Sequence, residues 1–294
     1  MSGTWTAGPV GFIGLGIMGR PMARNLIVAG VPLVVHSRSA GPVDEIVAAG
    51  AERAANAREV AERARVVITM LPDTPDLEAV LTGADGLLDA LGEDQLLIDM
   101  STVDPIATRR LAGDVRARGA GYVDAPVSGG QKGAEDGSLS IMIGGSDDDV
   151  ARAMPLFEIL GKTIVHVGDV GAGQVTKAAN QLVVGVTIEA VAEALALAEA
   201  AGVDAVKVRE ALLGGFAASR ILEVHGQRML DRAFQPGFRA RLHLKDARII
   251  ESTARELGVP TPALSVALDG FRRLVESDRG DLDHSALALL ARGE

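Results

Sequence analysis

Short apolar runs rich in β-branched residues alternate with longer helical patterns through the first half of the chain. Such runs are typical of strands that are buried on both faces of a sheet. The pattern predicts strands at residues 10–13, 33–36, 66–70, 96–100, 122–124, 140–143 and 164–167. Two helix starts are also marked, because Asp104 precedes Pro105 and Ser146 precedes a run of aspartates. This alternation predicts a parallel sheet covered by helices on both faces.

The strand pattern ends near residue 170, and the remainder of the chain has the periodicity of helices. Predicted helices cover about residues 172–201, 205–213, 220–230, 242–257 and 262–275, followed by a short C-terminal piece. Glycine- and proline-rich breaks separate them. At 1.5 Å per residue the first helix would be roughly 45 Å long, which suits a connector between two domains. We expect a doubly wound α/β domain over residues 1–170 and an all-α domain over residues 171–294.

Composition narrows the classes of function. The chain has 294 residues, a formal net charge of −10 and only eight aromatic residues (one Trp, one Tyr and six Phe). A nucleic-acid-binding protein needs a clustered basic surface and stacking aromatic residues, so this balance argues against that class. The chain has no cysteine, which excludes disulfides and thiolate metal ligands. The five histidines (36, 166, 225, 243 and 284) are scattered without ligand spacing, and we predict no metal site.

The sequence also indicates where the protein resides. The leader MSGTWTAGP lacks a basic segment followed by an apolar core, so we do not expect a signal peptide. The most apolar stretch follows Asn180 and is interrupted by Glu189, Glu193 and Glu199, which argues against a membrane span. We expect a cytoplasmic protein.

A dinucleotide-binding fingerprint follows the first predicted strand. In the run Gly14-Leu15-Gly16-Ile17-Met18-Gly19, the first glycine permits a tight turn, the second admits the pyrophosphate and the third allows close helix–strand packing. The diphosphate would then lie against the positive end of the next helix. The pattern predicts that the first domain is of the Rossmann type and that all six residues contact the cofactor.

The end of the second predicted strand favours NADP. An NAD-specific site normally carries an acidic residue there for the ribose 2′-hydroxyl. This chain continues with Ser37-Arg38-Ser39, and its next acid is Asp44. An arginine between two hydroxyls suits a 2′-phosphate. The alternative is that Arg38 is an ordinary loop arginine.

Lys177 is the one ionisable side chain between residues 171 and 188, in an otherwise apolar helical stretch. Desolvation favours the neutral form of an amine, which would let it exchange protons. Asn180 and Gln181 follow three and four residues later, on the same helical face. The alternative is a solvated lysine. However, the chain has five lysines against 24 arginines and so uses arginine for ordinary positive charge.

Several motifs, in the same order, resemble those of the β-hydroxyacid dehydrogenases. They are residues 12–19, Met70-Leu71-Pro72, Asp99-Met100-Ser101-Thr102, residues 124–130, the Gly171, Gly173, Lys177 and Asn180 spacing, and residues 234–238 and 242–246. The resemblance implies that Lys177 and Asn180 are catalytic. It implies cofactor contacts from Met70, Leu71, Pro72, Thr102, Phe238 and Lys245, and substrate contacts from Ser128, Gly129, Gly130 and Gln181.

The implied activity is NADPH-dependent reduction of a small carboxylated aldehyde and the reverse oxidation of a β-hydroxyacid, by a homodimer or homotetramer. Residues 214–217 and 236–246 are most similar to members that convert tartronate semialdehyde to glycerate. Reduction of succinic semialdehyde or glyoxylate, or oxidation of 3-hydroxyisobutyrate, is the nearest alternative. Imine reduction and a non-catalytic NADP-binding interaction module are disfavoured, because such relatives lack the lysine at position 177.

Overall fold

The computed structural model describes Trp5 and residues 7–294. Part of the leader, on which the signal-peptide prediction rests, therefore lies outside the described residues. The chain divides into two compact units, Met1–Lys177 and Ala178–Glu294. The division falls within a long helix, a few residues after the boundary at 170 and 171 that the sequence indicates.

The first unit contains a nine-stranded sheet in the order β3-β2-β1-β4-β5-β6-β8-β7, with β9 paired to β8. The strands are β1 (Val10–Ile13), β2 (Leu33–His36), β3 (Glu52–Arg53), β4 (Val66–Thr69), β5 (Leu96–Asp99), β6 (Gly121–Asp124), β7 (Val127–Ser128), β8 (Leu139–Gly144) and β9 (Gly161–Gly168). All the predicted strands are confirmed, with small shifts at their ends. β3 and β7 were not predicted, because two-residue strands carry no periodicity.

The sequence predicted a parallel sheet, but the sheet is mixed. β8 runs antiparallel to both β6 and β7, whereas the other pairs are parallel. The connection from β7 to β8 contains only the six-residue helix α6 (Gly130–Glu135). A parallel crossover needs a dozen or more residues, so this shorter connection returns the chain in the opposite direction.

Helices cover both faces of the sheet, as alternate strand residues demonstrate. In β4, Val66 and Ile68 pack in one hydrophobic core and Val67 packs in another. Successive side chains of a strand point to opposite faces, so both faces are buried. Besides α6, the helices of this unit are α1 (Gly19–Val28), α2 (Ala40–Ala48), α3 (Ala57–Arg63), α4 (Thr74–Thr82), α5 (Pro105–Arg116) and α7 (Asp147–Leu160).

Both predicted helix starts are confirmed. The Asp104 carboxylate accepts hydrogen bonds from the backbone N–H groups of Ile106 and Ala107 at the start of α5. The Ser146 hydroxyl accepts one from Asp149 N at the start of α7. Each side chain thereby satisfies backbone donors that have no partner within the helix.

The second unit is built of helices around a core of its own. The long helix α8 (Ala172–Ala200) starts in the first unit and continues into the second, where it is followed by α9 (Ala205–Leu213), α10 (Arg220–Leu230), α11 (Ala240–Glu256), α12 (Pro262–Glu276), a 3-10 turn (His284–Ala286) and α13 (Leu287–Ala291). The expected architecture, a Rossmann-type domain followed by helices, is confirmed.

By length and composition alone, helix α8 is long and apolar enough to cross a membrane. Its most apolar window of 18 residues has a mean hydropathy of 1.7. However, Ile188, Ala192 and Leu195 are almost completely buried in the core of the second unit. Over the whole window 28% is buried in the described structure, so α8 is a partly buried helix that meets the test of length and apolarity.

Candidate active site

The last residues of five parallel strands lie side by side at one edge of the sheet. Ile13 pairs with both His36 and Thr69, Thr69 pairs with Asp99, and Asp99 pairs with Asp124. In doubly wound sheets, ligands bind outside the carboxyl ends of the strands. Of the predicted site residues in the first unit, residues 14–19, 37–39, 70–72 and 102 follow these strands, and residues 128–130 lie at the end of β7 and directly after it.

The three fingerprint glycines meet three different steric requirements. Gly14 has a φ of +102°, and a Cβ there would clash with the Met70 carbonyl. A Cβ on Gly19 would clash with the Gly14 carbonyl, so this glycine lets α1 start close to β1. A Cβ on Gly16 would meet no protein atom within 4 Å. Gly16 therefore borders open space, whereas Gly14 and Gly19 are needed by the fold itself.

The same loop fits the diphosphate of a nicotinamide dinucleotide. Gly16 and Ile17 are exposed, and Met18 is half-buried, whereas Leu15 is buried beneath them. Helix α1 begins at Gly19 without a side-chain cap. Arg20 N and Met22 N donate to Gly16 O and Met18 O, and Pro21 has no N–H, so it is the positive end of the helix dipole that favours an anion here. When bound, such a cofactor would supply a hydride.

The segment after β2 places Arg38 on the surface. The Ser37 hydroxyl accepts a hydrogen bond of 3.4 Å from Leu15 N, which joins this segment to the glycine loop. Arg38 forms an ion pair of 2.9 Å with Asp76 of α4, and its side chain is 80% exposed. Ser39 precedes α2 and makes no side-chain cap. The sequence pattern did not indicate Asp76, because the two residues meet only in the folded chain.

Buried polar groups hold the loops after β4 and β5 together. The Thr69 hydroxyl donates to Asp99 Oδ1 at 2.8 Å, and Ser101 N donates to the same oxygen at 3.2 Å. The Ser101 hydroxyl accepts a hydrogen bond of 2.8 Å from Leu71 N. This network fixes the backbone around the predicted cofactor contacts. Among these, Met70, Leu71 and Thr102 are half-buried and Pro72 is exposed.

The predicted carboxylate-binding loop crosses from β7 into α6. Ser128 is half-buried at the end of β7, and it pairs with Ser140 of β8. Gly129 and Gly130 have φ values of +137° and +61°. Glycine adopts these left-handed values without strain. Turns of this kind form concave arrays of backbone N–H groups that suit an anion.

Lys177 lies near the start of α8 and is only 6% exposed. Gly171, just before the helix, has a φ of +89°. A Cβ on Gly173 would lie 2.8 Å from Asp124 Oδ2, so glycine lets the helix approach β6 closely. The sequence indicated the spacing of these glycines to Lys177, and the structure gives its steric reason.

Gln174 is a buried residue of this region that the sequence pattern did not single out. Its side-chain amide donates to Ser101 O at 2.8 Å and accepts from Val103 N at 3.2 Å. It therefore joins α8 to the loop after β5, one helical turn before Lys177. A lone glutamine in a helical pattern carries no signal for such a role.

In the second unit, the predicted site residues of α8 join a chain of hydrogen bonds. Asn180 Nδ2 donates to Gln181 Oε1 at 2.8 Å, and Gln181 Nε2 donates to Asp246 Oδ2 at 2.6 Å. Lys245 Nζ lies 2.9 Å from Asp246 Oδ1. Gln181 and Asp246 are buried. Asp246 is thus an additional site candidate. It orients Gln181 by a hydrogen bond and forms an ion pair with Lys245.

Phe238 lies beside a cluster of histidines. In the sequence these histidines are scattered, and no cluster was predicted. His225, Asp283 and His284 each offer one atom that could bind a metal ion, and these three atoms lie within 4.8 Å of one another. His243 Nδ1 is 2.9 Å from His284 Nδ1. Folding brings together residues from α10, α11 and the C-terminal 3-10 turn, which no linear spacing reveals. Burial, the largest influence, lowers the pKa of His284 well below its usual value.

The Asp283 carboxylate holds the segment that contains Phe238. Its Oδ2 accepts hydrogen bonds from Gly237 N at 2.9 Å and Phe238 N at 3.2 Å. Its Oδ1 accepts from both the backbone and the hydroxyl of Ser285. Backbone and hydroxyl donors therefore occupy both carboxylate oxygens, and Phe238 is positioned by this contact.

Comparisons with known proteins cover both units. The sequence profile of the NAD binding domain of 6-phosphogluconate dehydrogenase matches residues 9–168. A second profile, described as NAD-binding of NADP-dependent 3-hydroxyisobutyrate dehydrogenase, matches residues 171–291. The two matches are consecutive and together span both units of the chain.

Individual relatives align over almost their entire length. The 2-hydroxy-3-oxopropionate reductase of Escherichia coli is 48% identical, with 95% of each chain covered. The NAD-dependent L-serine dehydrogenase of Pseudomonas aeruginosa is 37% identical, covering 96% of this chain and 97% of the relative. The solved structure of Mycobacterium tuberculosis 3-hydroxyisobutyrate dehydrogenase with L-serine has a TM-score of 0.90 and 32% identity, covering 98% of this chain and all of the other. The chain therefore belongs to the 3-hydroxyisobutyrate dehydrogenase-like family of β-hydroxyacid dehydrogenases, which are nicotinamide-dependent oxidoreductases.

Proposed function

We propose that this protein is an NADPH-dependent reductase of small carboxylated aldehydes, with tartronate semialdehyde as the preferred substrate and glycerate as the product. The burial of Lys177, at 6% exposure, is the observation that carries the proposal. A lysine held out of water in this position suits proton transfer rather than surface charge. The high identity to a 2-hydroxy-3-oxopropionate reductase supports the choice of substrate.

Lys177 acts as the general acid in reduction. As the aldehyde carbon accepts a hydride, its oxygen gains negative charge, which the ammonium stabilises and then protonates. In the reverse direction the neutral amine accepts the hydroxyl proton. Asn180 lies one helical turn further along α8 and holds the amine or the substrate oxygen.

The substrate carboxylate binds the loop at residues 128–130. The hydroxyl of Ser128 and the backbone N–H groups of Gly129 and Gly130 supply donors, and the two glycines permit close approach. Gln181, whose amide Asp246 orients, donates or accepts at the polar end of the substrate.

The choice of NADP rests on the position of Arg38. The residue directly follows the second strand, its side chain is 80% exposed, and the segment 37–39 contains no acid. A 2′-phosphate would replace Asp76 as the partner of the guanidinium through charge-assisted hydrogen bonds.

A second candidate is oxidation of L-serine. The named L-serine dehydrogenase relative and the structure solved with L-serine favour it, since serine is itself a small β-hydroxyacid. It differs from the first candidate in the group beside the carboxylate.

A substrate screen tests these alternatives. NADPH and NADH oxidation are measured with tartronate semialdehyde, methylmalonate semialdehyde, succinic semialdehyde, glyoxylate and a cyclic imine, and NADP and NAD reduction with L-serine. We expect the highest kcat/KM with tartronate semialdehyde and NADPH. A higher value for L-serine would select the second candidate, and activity with the imine alone would reject both.

A further inference from the structure

Asp124 is a completely buried carboxylate at the end of β6. Its Oδ1 accepts a hydrogen bond of 2.6 Å from Gly171 N, and its Oδ2 accepts one of 2.9 Å from Gln174 N. Gly171 directly precedes α8, and Gln174 lies in its first turn. A single carboxylate on a rigid strand thus caps the helix that carries Lys177 one turn further on.

The atoms around this carboxylate are closely packed. A Cβ on Gly144 would lie within 3 Å of Asp124 Oδ1 and of Gly173 N. A Cβ on Gly173 would lie 2.8 Å from Asp124 Oδ2. Two glycines therefore make room for the carboxylate between the sheet and the helix. Close packing of this kind transmits the position of the strand to the helix.

Charged and titratable groups approach this region from the neighbouring elements. Asp99 of β5 and Tyr122 of β6 lie close enough to influence it electrostatically, and the Arg109 side chain of α5 lies beside Gly171. Burial raises the pKa of the Asp124 carboxyl to about 6, against the opposing effect of the N–H groups of Gly171 and Gln174. The Asp99 charge raises it further.

We propose that Asp124 is a positioning residue for Lys177: its ionised carboxylate fixes the first turn of α8 and thereby sets the location of the lysine amine for proton transfer. The inference rests on the proposed function of Lys177. An ionised carboxylate accepts both hydrogen bonds, whereas a carboxamide presents its NH2 donor to one of the two N–H groups and a protonated carboxyl offers only a weaker hydroxyl acceptor there. The first change leaves a buried backbone donor without its acceptor, the second weakens its hydrogen bond, and both loosen the turn.

The test compares Asp124→Asn with wild type. We expect kcat to fall roughly 10- to 100-fold, the range that corresponds to losing a hydrogen bond to a charged group. KM and the NADPH Kd should change much less than kcat, because neither hydrogen bond of Asp124 is made to a residue predicted to contact substrate or cofactor. In wild type kcat should decline as the pH falls through about 6, where Asp124 gains a proton. The variant should lack this decline. Unchanged kcat, or the same acidic decline in the variant, would overturn the inference.

Asp204→Asn serves as the matched control. Asp204 caps α9 by accepting a hydrogen bond from Val206 N, and it lies on the surface. Its replacement tests helix capping in general, and kcat should not change.

One further measurement keeps the inference testable if Asp124→Asn does not fold. In wild type, deuterium exchange of the amides at residues 171–177, corrected for intrinsic pH dependence, should accelerate between pH 7.5 and pH 5, and no acceleration would overturn the inference. Lys177→Met separates this inference from the proposed function. If Lys177→Met retains activity, the function fails. If it is inactive while Asp124→Asn is unaffected, only the positioning role fails.

Discussion

The side-chain amide of Gln181 donates a 2.6 Å hydrogen bond to the buried carboxylate of Asp246, a residue 65 positions later in the chain. This bond fixes which end of the Gln181 amide faces Asn180, because the other end accepts from Asn180 Nδ2. The orientation of two predicted site amides therefore depends on one carboxylate of α11.

Replacing Asp246 with asparagine should destabilise the protein. The variant loses a charge-assisted hydrogen bond in a buried position, which is typically worth about 1–3 kcal/mol. Urea denaturation would give the change in the free energy of unfolding. Asp231→Asn is the matched control, because Gln227 donates to Asp231 in an exposed amide–carboxylate pair. A change within about 0.5 kcal/mol is expected there, and equal effects in both variants would contradict the assigned role of Asp246.

Gly16→Ala should weaken NADPH binding, whereas Gly19→Ala should destabilise the fold. A Cβ on Gly16 meets no protein atom within 4 Å, so this variant should keep the wild-type Tm and bind NADPH more weakly. A Cβ on Gly19 clashes with the Gly14 carbonyl, so that variant should have a lower Tm. Thermal unfolding and NADPH fluorescence titration would measure both properties. Tight NADPH binding by Gly16→Ala would argue against a diphosphate at this glycine.

Arg38→Asp should shift the cofactor preference. Loss of the guanidinium and gain of a carboxylate should lower kcat/KM for NADPH roughly 10- to 100-fold and affect NADH far less. Arg110→Asp is a suitable control, because Arg110 is another exposed arginine that pairs with an acidic residue of α4, Glu78. Steady-state kinetics with both cofactors would decide. A native preference for NADH, or indifference to the change at position 38, would reject the phosphate-binding role.

Glu189 should make the stability of the protein depend on pH. Burial, together with the charges of Glu193 and Asp269, raises the pKa of its carboxyl to about 7, although Arg273 acts in the opposite direction. The folded state thus binds this proton more tightly than the unfolded state does. Its stabilising contribution is complete below about pH 4.5 and is lost as the pH rises through 7.

Glu189→Gln removes that contribution. The free energy of unfolding of wild type should fall between pH 5 and pH 8 by an amount on the order of 1–2 kcal/mol more than that of the variant, allowing for partial solvent screening. Urea titrations at the two pH values would measure it. Glu210→Gln, at an exposed position of α9, should leave the wild-type dependence intact. Parallel pH dependences for wild type and Glu189→Gln would refute this explanation.

The sequence predicted those features that depend on local patterns. Apolar strands such as β4 are short and uniform, and the caps at Asp104 and Ser146 depend on neighbouring residues. The two-residue strands β3 and β7 escaped prediction because they are too short for a pattern. The antiparallel direction of β8 depends on the length of a connection rather than on its own residues.

Part of the candidate site depends on contacts between distant segments. Lys177 was conspicuous because its neighbours are apolar, and the fingerprint glycines because of their spacing. Gln174, Asp246 and the Arg38–Asp76 pair gave no such signal, since their partners lie far away in sequence. The histidine cluster is the clearest case, because its members come from three separate elements.

The role of Lys177 is tested most directly by the single-turnover and steady-state kcat of Lys177→Met with NADPH and tartronate semialdehyde. Methionine fills similar space without an amine, and Lys207→Met on the exposed face of α9 controls for loss of a lysine. Lys177→Met should leave the NADPH Kd unchanged and lower kcat by about 10²- to 10⁴-fold, the usual contribution of general acid–base catalysis. A kcat within about threefold of wild type would contradict it.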